Sequence, residues 1–136
     1  MKSIIFDTNI TISTLFWKGC PRQIYDLVKA KEIKLLYSID IEKELIRVLA
    51  YPKFGLLPAE ILPIVNNLRK YTHFIETKSK IDVVIEDSTD NIFIECALDG
   101  NADYIISGDK HLLNVRCYEN IKIVKAKDFL TIEKIM

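Results

Sequence analysis

The chain alternates between short unbroken apolar runs and longer stretches whose apolar positions recur with helical spacing. Residues 3–7, "IKLLYS" (33–38), "IDVVI" (81–85), "DYIIS" (103–107) and "IKIV" (121–124) belong to the first kind and are expected to be strands. "PRQIYDLVKAKE" carries apolar residues at 24, 27 and 28 with Pro21 near its start, which predicts an amphipathic helix. Ser38 is placed to cap a second helix, "IDIEKELIRVLA", which "YPKFGL" then breaks. "PAEILPIVNNLRKYTHF" is helical in pattern, with Pro63 as a point of splitting or kinking. "DNIFIECALDG" predicts a helix ending at Gly100, and "KDFLTIEKI" a short terminal one.

Strands that are apolar on both faces and alternate with helices imply an α/β fold, a mainly parallel sheet covered on both sides. In such sheets ligands bind beyond the carboxyl ends of the strands. The 136 residues suit one domain spanning 1–136 and hold no linker-like tract or repeat. No run approaches a membrane span, and "MKSIIFDTN" lacks the apolar stretch of a signal peptide. Cys20, Cys96 and Cys117 are odd in number and widely separated, so a cytoplasmic protein without disulfides is expected.

Charge adds to this picture through its distribution. The net charge is zero, yet the segment from Asp82 to Asp109 holds eight acids (Asp82, Glu86, Asp87, Asp90, Glu95, Asp99, Asp103, Asp109) and no Lys or Arg. The rest of the chain carries +8, so a cation site beside a basic rim is one outcome and two solvated faces of opposite sign the other.

Three of the acids stand at element boundaries. Asp7 ends the first strand in "IIFDTNITIS", Asp109 follows "DYIISG", and Asp90 opens a helix. Asp7 and Asp109 must leave the same edge of a parallel sheet. Carboxylates that converge repel one another unless a cation intervenes, and oxygen ligands suit Mg²⁺ or Mn²⁺. Each acid also has an ordinary structural use: Asp90 as a helix cap, Asp109 as turn chemistry. Asp7 is the hardest to place otherwise, because a carboxylate ending a buried strand needs a partner.

The segments "FDTNI", "YSIDIEKELIRVLAYPKF", "DSTDNIFIECAL" and "ADYIISGDKHLL" occur in the order found in the PIN-domain family, which the chain resembles from residue 3 to about 113. Within that family it is similar to the VapC-like toxins of toxin–antitoxin pairs. The resemblance implies a three-layer α/β/α fold and a ribonuclease dependent on one or two Mg²⁺ or Mn²⁺ ions. It implies ligation by Asp7, Glu44, Asp90 and Asp109, with Asn9 and Ser107 tuning that shell and Asp87 and Asp103 secondary. It also implies RNA as substrate, a small antitoxin as partner and a homodimer. The apolar, Pro-interrupted "YPKFGLLPAEILPIV" is the segment in which to look for that contact, with plain core packing the other reading.

Glu44 has a competitor in the residues themselves. On the helical wheel Ile41, Leu45 and Leu49 define the buried stripe; Glu42 lies near it and Glu44 at its flank beside Val48. The family pattern selects Glu44. His111 stands where many relatives have an acid, and the simplest expectation is an exposed loop histidine. Lys18, Arg22, Lys110 and Arg116 are candidates to hold substrate phosphates because they neighbour the strand-edge motifs.

Other functions share parts of this pattern. A phosphatase of the haloacid dehalogenase type is suggested by "DTNIT", but Asn9 replaces the acid/base carboxyl that chemistry needs. A module that binds metal or RNA without cutting it is compatible with every motif. The aromatic "LFWKGCP" segment suggests a base-stacking platform, although packing of Phe16 and Trp17 at the sheet edge or a subunit interface is the plainer expectation.

Overall fold

The computed structural model describes residues 1–81 and 90–133. Its elements run in the order β1 (Ser3–Phe6), α1 (Thr8–Phe16), α2 (Cys20–Lys29), β2 (Lys34–Tyr37), α3 (Ile39–Leu49), α4 (Pro58–Arg69) and β3 (Thr72–Phe74). They continue through α5 (Asn91–Asp99), β4 (Tyr104–Ile106), α6 (Lys110–Val115), β5 (Cys117–Tyr118), β6 (Ile121–Val124) and α7 (Ala126–Ile132). The strands form one sheet in the order β3-β2-β1-β4-β6-β5, parallel throughout except for the β5–β6 hairpin. Helices cover both faces, giving three α/β/α layers. Ile4, Ile5, Ile105 and Ile106 are fully buried, as strands enclosed on both faces must be. No helix among the described residues is long and apolar enough to cross a membrane.

Chain order reverses direction at the centre of the sheet. From β1 the chain builds outward through β2 and β3, then returns to lay β4 on the other side of β1. Two parallel strands whose following connections diverge leave a crevice beyond their carboxyl ends. That crevice falls between Asp7, just past β1, and Ser107–Asp109, just past β4.

Several elements depart from the pattern-based reading. The run after Asp7 is helix α1, entered with no loop. α4 continues through Pro63 without splitting, since the carbonyl that loses its partner belongs to exposed Ala59. The "THF" tail of that segment is strand β3, because pairing with β2 outweighs local periodicity. α6 and β5 were not anticipated, and "IDVVI" lies outside the described residues from Asp82 onward.

α5 ends at Gly100 as expected, but for another reason. Its φ of −94° is open to any residue. A Cβ there would lie 2.7 Å from Leu36 Cδ1 and 3.0 Å from Ile75 Cγ1, so the close packing of the helix end favours glycine and a larger residue would have to displace those side chains. Gly100→Ala is expected to lower stability by roughly 1–3 kcal/mol, the usual range for overpacking. Urea unfolding followed by circular dichroism would register this as a lower midpoint at unchanged slope.

Candidate metal centre

Asp7 leaves the sheet in extended conformation and starts α1, with its Oδ1 accepting the Ile10 amide proton at 2.8 Å. Its Oδ2 accepts a hydrogen bond from the hydroxyl of Ser107, which is itself completely buried. Ser107 Oγ in turn accepts the Asp109 amide proton at 3.0 Å. One serine thereby ties the end of β1 to the end of β4. The partner that a carboxylate at the end of a buried strand requires is thus in place.

Burial is what sets the acidity of Asp7. With only 3 % of its surface exposed, its carboxyl is pushed above the usual carboxylate range by desolvation. The Ser107 hydroxyl and the amides of Ile10 and Gly108 partly offset this, while the charge of Asp109 adds to it.

Asp109 precedes α6 and accepts the His111 amide proton at 3.1 Å. Its carboxyl is held below the usual range, first by a hydrogen bond with the Asp90 side chain. That bond brings the Asp90 and Asp109 carboxyls face to face at the mouth of the crevice. Asp90 does not use its side chain to cap α5. Ligand atoms of Asp90, Asp109 and His111 all lie within 4.8 Å of one another. His111 is helical and half-buried where an exposed loop residue was expected: it sits in the first turn of α6, with Nδ1 3.9 Å from Asp109 Oδ1.

These groups border a cleft of about 240 Å³ lined by Asp7, Thr8, Asn9, Glu44, Arg47, Val48, Tyr51, Lys53, Asp90, Phe93 and Asp109. Four acids from four places in the sequence meet there. Glu44 reaches it from α3, where Arg47 grips it through two hydrogen bonds of 2.6 and 3.1 Å. Glu42 points into the protein, 3 % exposed, and pairs with Arg69 of α4, Nε to Oε1 at 2.6 Å. The helical wheel was right that Glu42 lies on the buried stripe, and that position removes it from the cleft.

Other sequence candidates fall elsewhere. Asp103 stands at the opposite end of β4 and accepts the Ser3 amide proton at 2.9 Å, so it fastens β1 and does not join the cleft. Asp87 lies outside the described residues. Within the acidic segment, Asp99 binds the amides of Lys78 and Ser79 and Glu95 binds that of Ile81. Among the described residues, those acids serve packing. Neither Lys18, Arg22, Lys110 nor Arg116 lines the cleft; Arg22 instead donates to the Thr14 carbonyl at 2.6 Å. The cations that do line it are Arg47 and Lys53. The sequence held a signal for Arg47, three residues after Glu44 on one helix face. It held none for Lys53.

A sequence model of the PIN domain matches residues 3–111, most of the chain. The chain belongs to the PIN-domain family. No curated protein matches it. PIN domains are in general metal-dependent nucleases with a nuclease fold, and they use divalent ions. The residues of this PIN domain fit such an ion. A divalent cation held by Asp90 and Asp109 would relieve the repulsion between them, and buried Thr8 Oγ1 at the cleft has no hydrogen-bond partner.

Calorimetric titration with Mn²⁺ is expected to give saturable binding that Asp90→Asn or Asp109→Asn weakens by about 100-fold or more. Glu42→Gln and Glu44→Gln separate the two glutamates. The first should lower thermal stability with Mn²⁺ affinity intact, and the second should do the reverse.

Asp7 yields a pH prediction of definite sign. A carboxyl whose folded pKa is raised stabilises the fold while protonated, and that contribution is lost as pH rises through the folded value. In EDTA, Asp7→Asn should therefore raise the melting temperature at neutral pH and change it little below the usual carboxylate range. The calorimetric difference between the two pH values reads it directly.

Proposed function

We propose that this PIN domain is a ribonuclease dependent on Mg²⁺ or Mn²⁺ that hydrolyses phosphodiester bonds in RNA, and that it is the toxin of a toxin–antitoxin pair. The observation carrying the nuclease reading is the convergence of Asp7, Glu44, Asp90 and Asp109 on one cleft whose rim holds Arg47 and Lys53. The toxin reading rests on the order and spacing of the four sequence motifs.

Asp90 and Asp109 are the residues that would hold the cation, with His111 beside them and buried Asp7 adding negative charge. When bound, the ion polarises the scissile phosphate and lowers the pKa of a water at the site. Ser107 keeps Asp7 in one rotamer by donating to it, so this charge does not swing away as substrate enters. Arg47 and Lys53 supply positive charge for the phosphate oxygens, Arg47 exchanging part of its hold on Glu44 for substrate. An ionised carboxylate, Asp90 in this reading, takes the proton of the attacking water as its oxygen bonds to phosphorus and the bond to the leaving ester oxygen breaks. A site of two carboxylates and an imidazole favours Mn²⁺ over Mg²⁺ more than carboxylates alone do. The partners in this reading are a small antitoxin that covers the cleft and a second copy of the chain.

Purified protein with a labelled single-stranded RNA and Mn²⁺ should give cleavage that EDTA abolishes. Asp109→Asn should reduce kcat at least about 100-fold, as expected for losing several kcal/mol of charge stabilisation. RNA binding without cleavage by the intact protein would instead identify a binding module. For the toxin reading, expression of the chain alone should arrest growth and Asp109→Asn should not.

A further inference from the structure

Beside the acidic cleft lies a groove of about 330 Å³ lined by Asn9, Ile12, Ser13, Trp17, Lys53 and Phe54. Asn9 and Lys53 line both cavities, so the two adjoin. The aromatic walls come from distant parts of the chain: Trp17 from the end of α1 and Phe54 from the helical turn Pro52–Phe54. Phe16 joins them, stacked on Phe54 at 5.9 Å and 15° and meeting Trp17 edge-on at 6.0 Å. Trp17 keeps 58 % of its surface exposed, a large share for the largest apolar side chain. Lys53 lies with Nζ 5.2 Å from the centre of the Phe54 ring, on the boundary between groove and cleft. Asn9, exposed on the first turn of α1, offers an amide donor and acceptor, and buried Ile12 adds an apolar contact.

We propose that this groove is a nucleobase site, holding by stacking on Trp17 the base next to the scissile phosphate. The inference rests on the ribonuclease reading of the adjoining cleft and names how the strand is held there. An aromatic face, an amide and a cation meet in one concave site that opens onto the phosphate-binding chemistry. That set matches the three parts of a nucleotide: a π surface, a hydrogen-bonding edge and a backbone charge. A partner helix would require a row of apolar anchors, and Ile12 is the single aliphatic residue lining the groove. Duplex RNA keeps its bases stacked inside, so the site selects single strands. Phe16 and Trp17 thereby gain a role beyond edge packing.

Trp17 is the only tryptophan in the chain, which makes the site its own reporter. In an Asp90→Asn background with EDTA, so that nothing is cut, a single-stranded oligoribonucleotide should quench the fluorescence and a duplex of equal length should not. In the same background Trp17→Ala should weaken binding, followed by anisotropy of a labelled strand, by roughly 5- to 100-fold, with Trp17→Phe retaining most affinity. An abasic residue at the stacked position should reproduce the loss. Equal quenching by duplex, or unchanged affinity in a folded Trp17→Ala, overturns the proposal. So does a Trp17→Ala protein whose only change is its sedimentation coefficient, which would assign the groove to a second copy of the chain. If the wild-type protein fails to cut RNA with Mn²⁺ but single strands still quench Trp17, the ribonuclease reading falls and the base site stands.

Discussion

Like charges brought together at one sheet edge are the constraint around which this structure is arranged. Asp7, Asp90 and Asp109 enter the same crevice because β1 and β4 lie side by side at the point where the strand order reverses. Without a cation the protein relieves the repulsion in two ways. Burial pushes the Asp7 carboxyl towards its neutral form, which the Ser107 hydroxyl partly offsets; Asp90 and Asp109 are drawn together by a side-chain hydrogen bond. Both devices hold the carboxyls in place in an arrangement that could hold a divalent ion.

The scaffold around that edge is rigid for reasons visible in its composition. Four parallel strands of branched aliphatic residues form the centre, and short helices begin directly at their ends. Asp7 and Asp109 each accept an amide proton from the first turn of the helix they begin, so the bonds that organise the backbone also fix the carboxylates. The alternatives weighed from sequence, helix cap or turn against metal ligand, are therefore not exclusive. Asp90 differs, since its side chain makes no cap bond and turns to Asp109.

Sequence legibility followed physical locality. The buried strands and the amphipathic helices α2, α3 and α5 could be read because burial on a fixed period marks them along the chain. α1 was missed because Asp7 reads as the end of a strand and in "TNITISTLF" hydroxyl and apolar residues intermingle around the wheel, with no separate polar face to declare a helix. β3 was missed because its three residues follow helical spacing and gain their identity only from β2. At the site, the acids were found through their boundary positions and family resemblance. Arg47 was legible only through its spacing from Glu44, and Lys53 was not legible at all, since nothing local distinguishes a cleft-lining lysine from a solvated one. The four basic residues chosen for proximity along the chain all missed the cleft.

The central claim is that acids distant in sequence form one cation site. Crystals soaked in Mn²⁺ and measured at the manganese absorption edge test it most directly. The account predicts anomalous density between Asp90 and Asp109, at the roughly 2.0–2.2 Å from carboxylate oxygen typical of small divalent ions. Density confined to other parts of the surface, or a cleft that stays empty at saturating Mn²⁺ with Asp90 and Asp109 still paired, would contradict it.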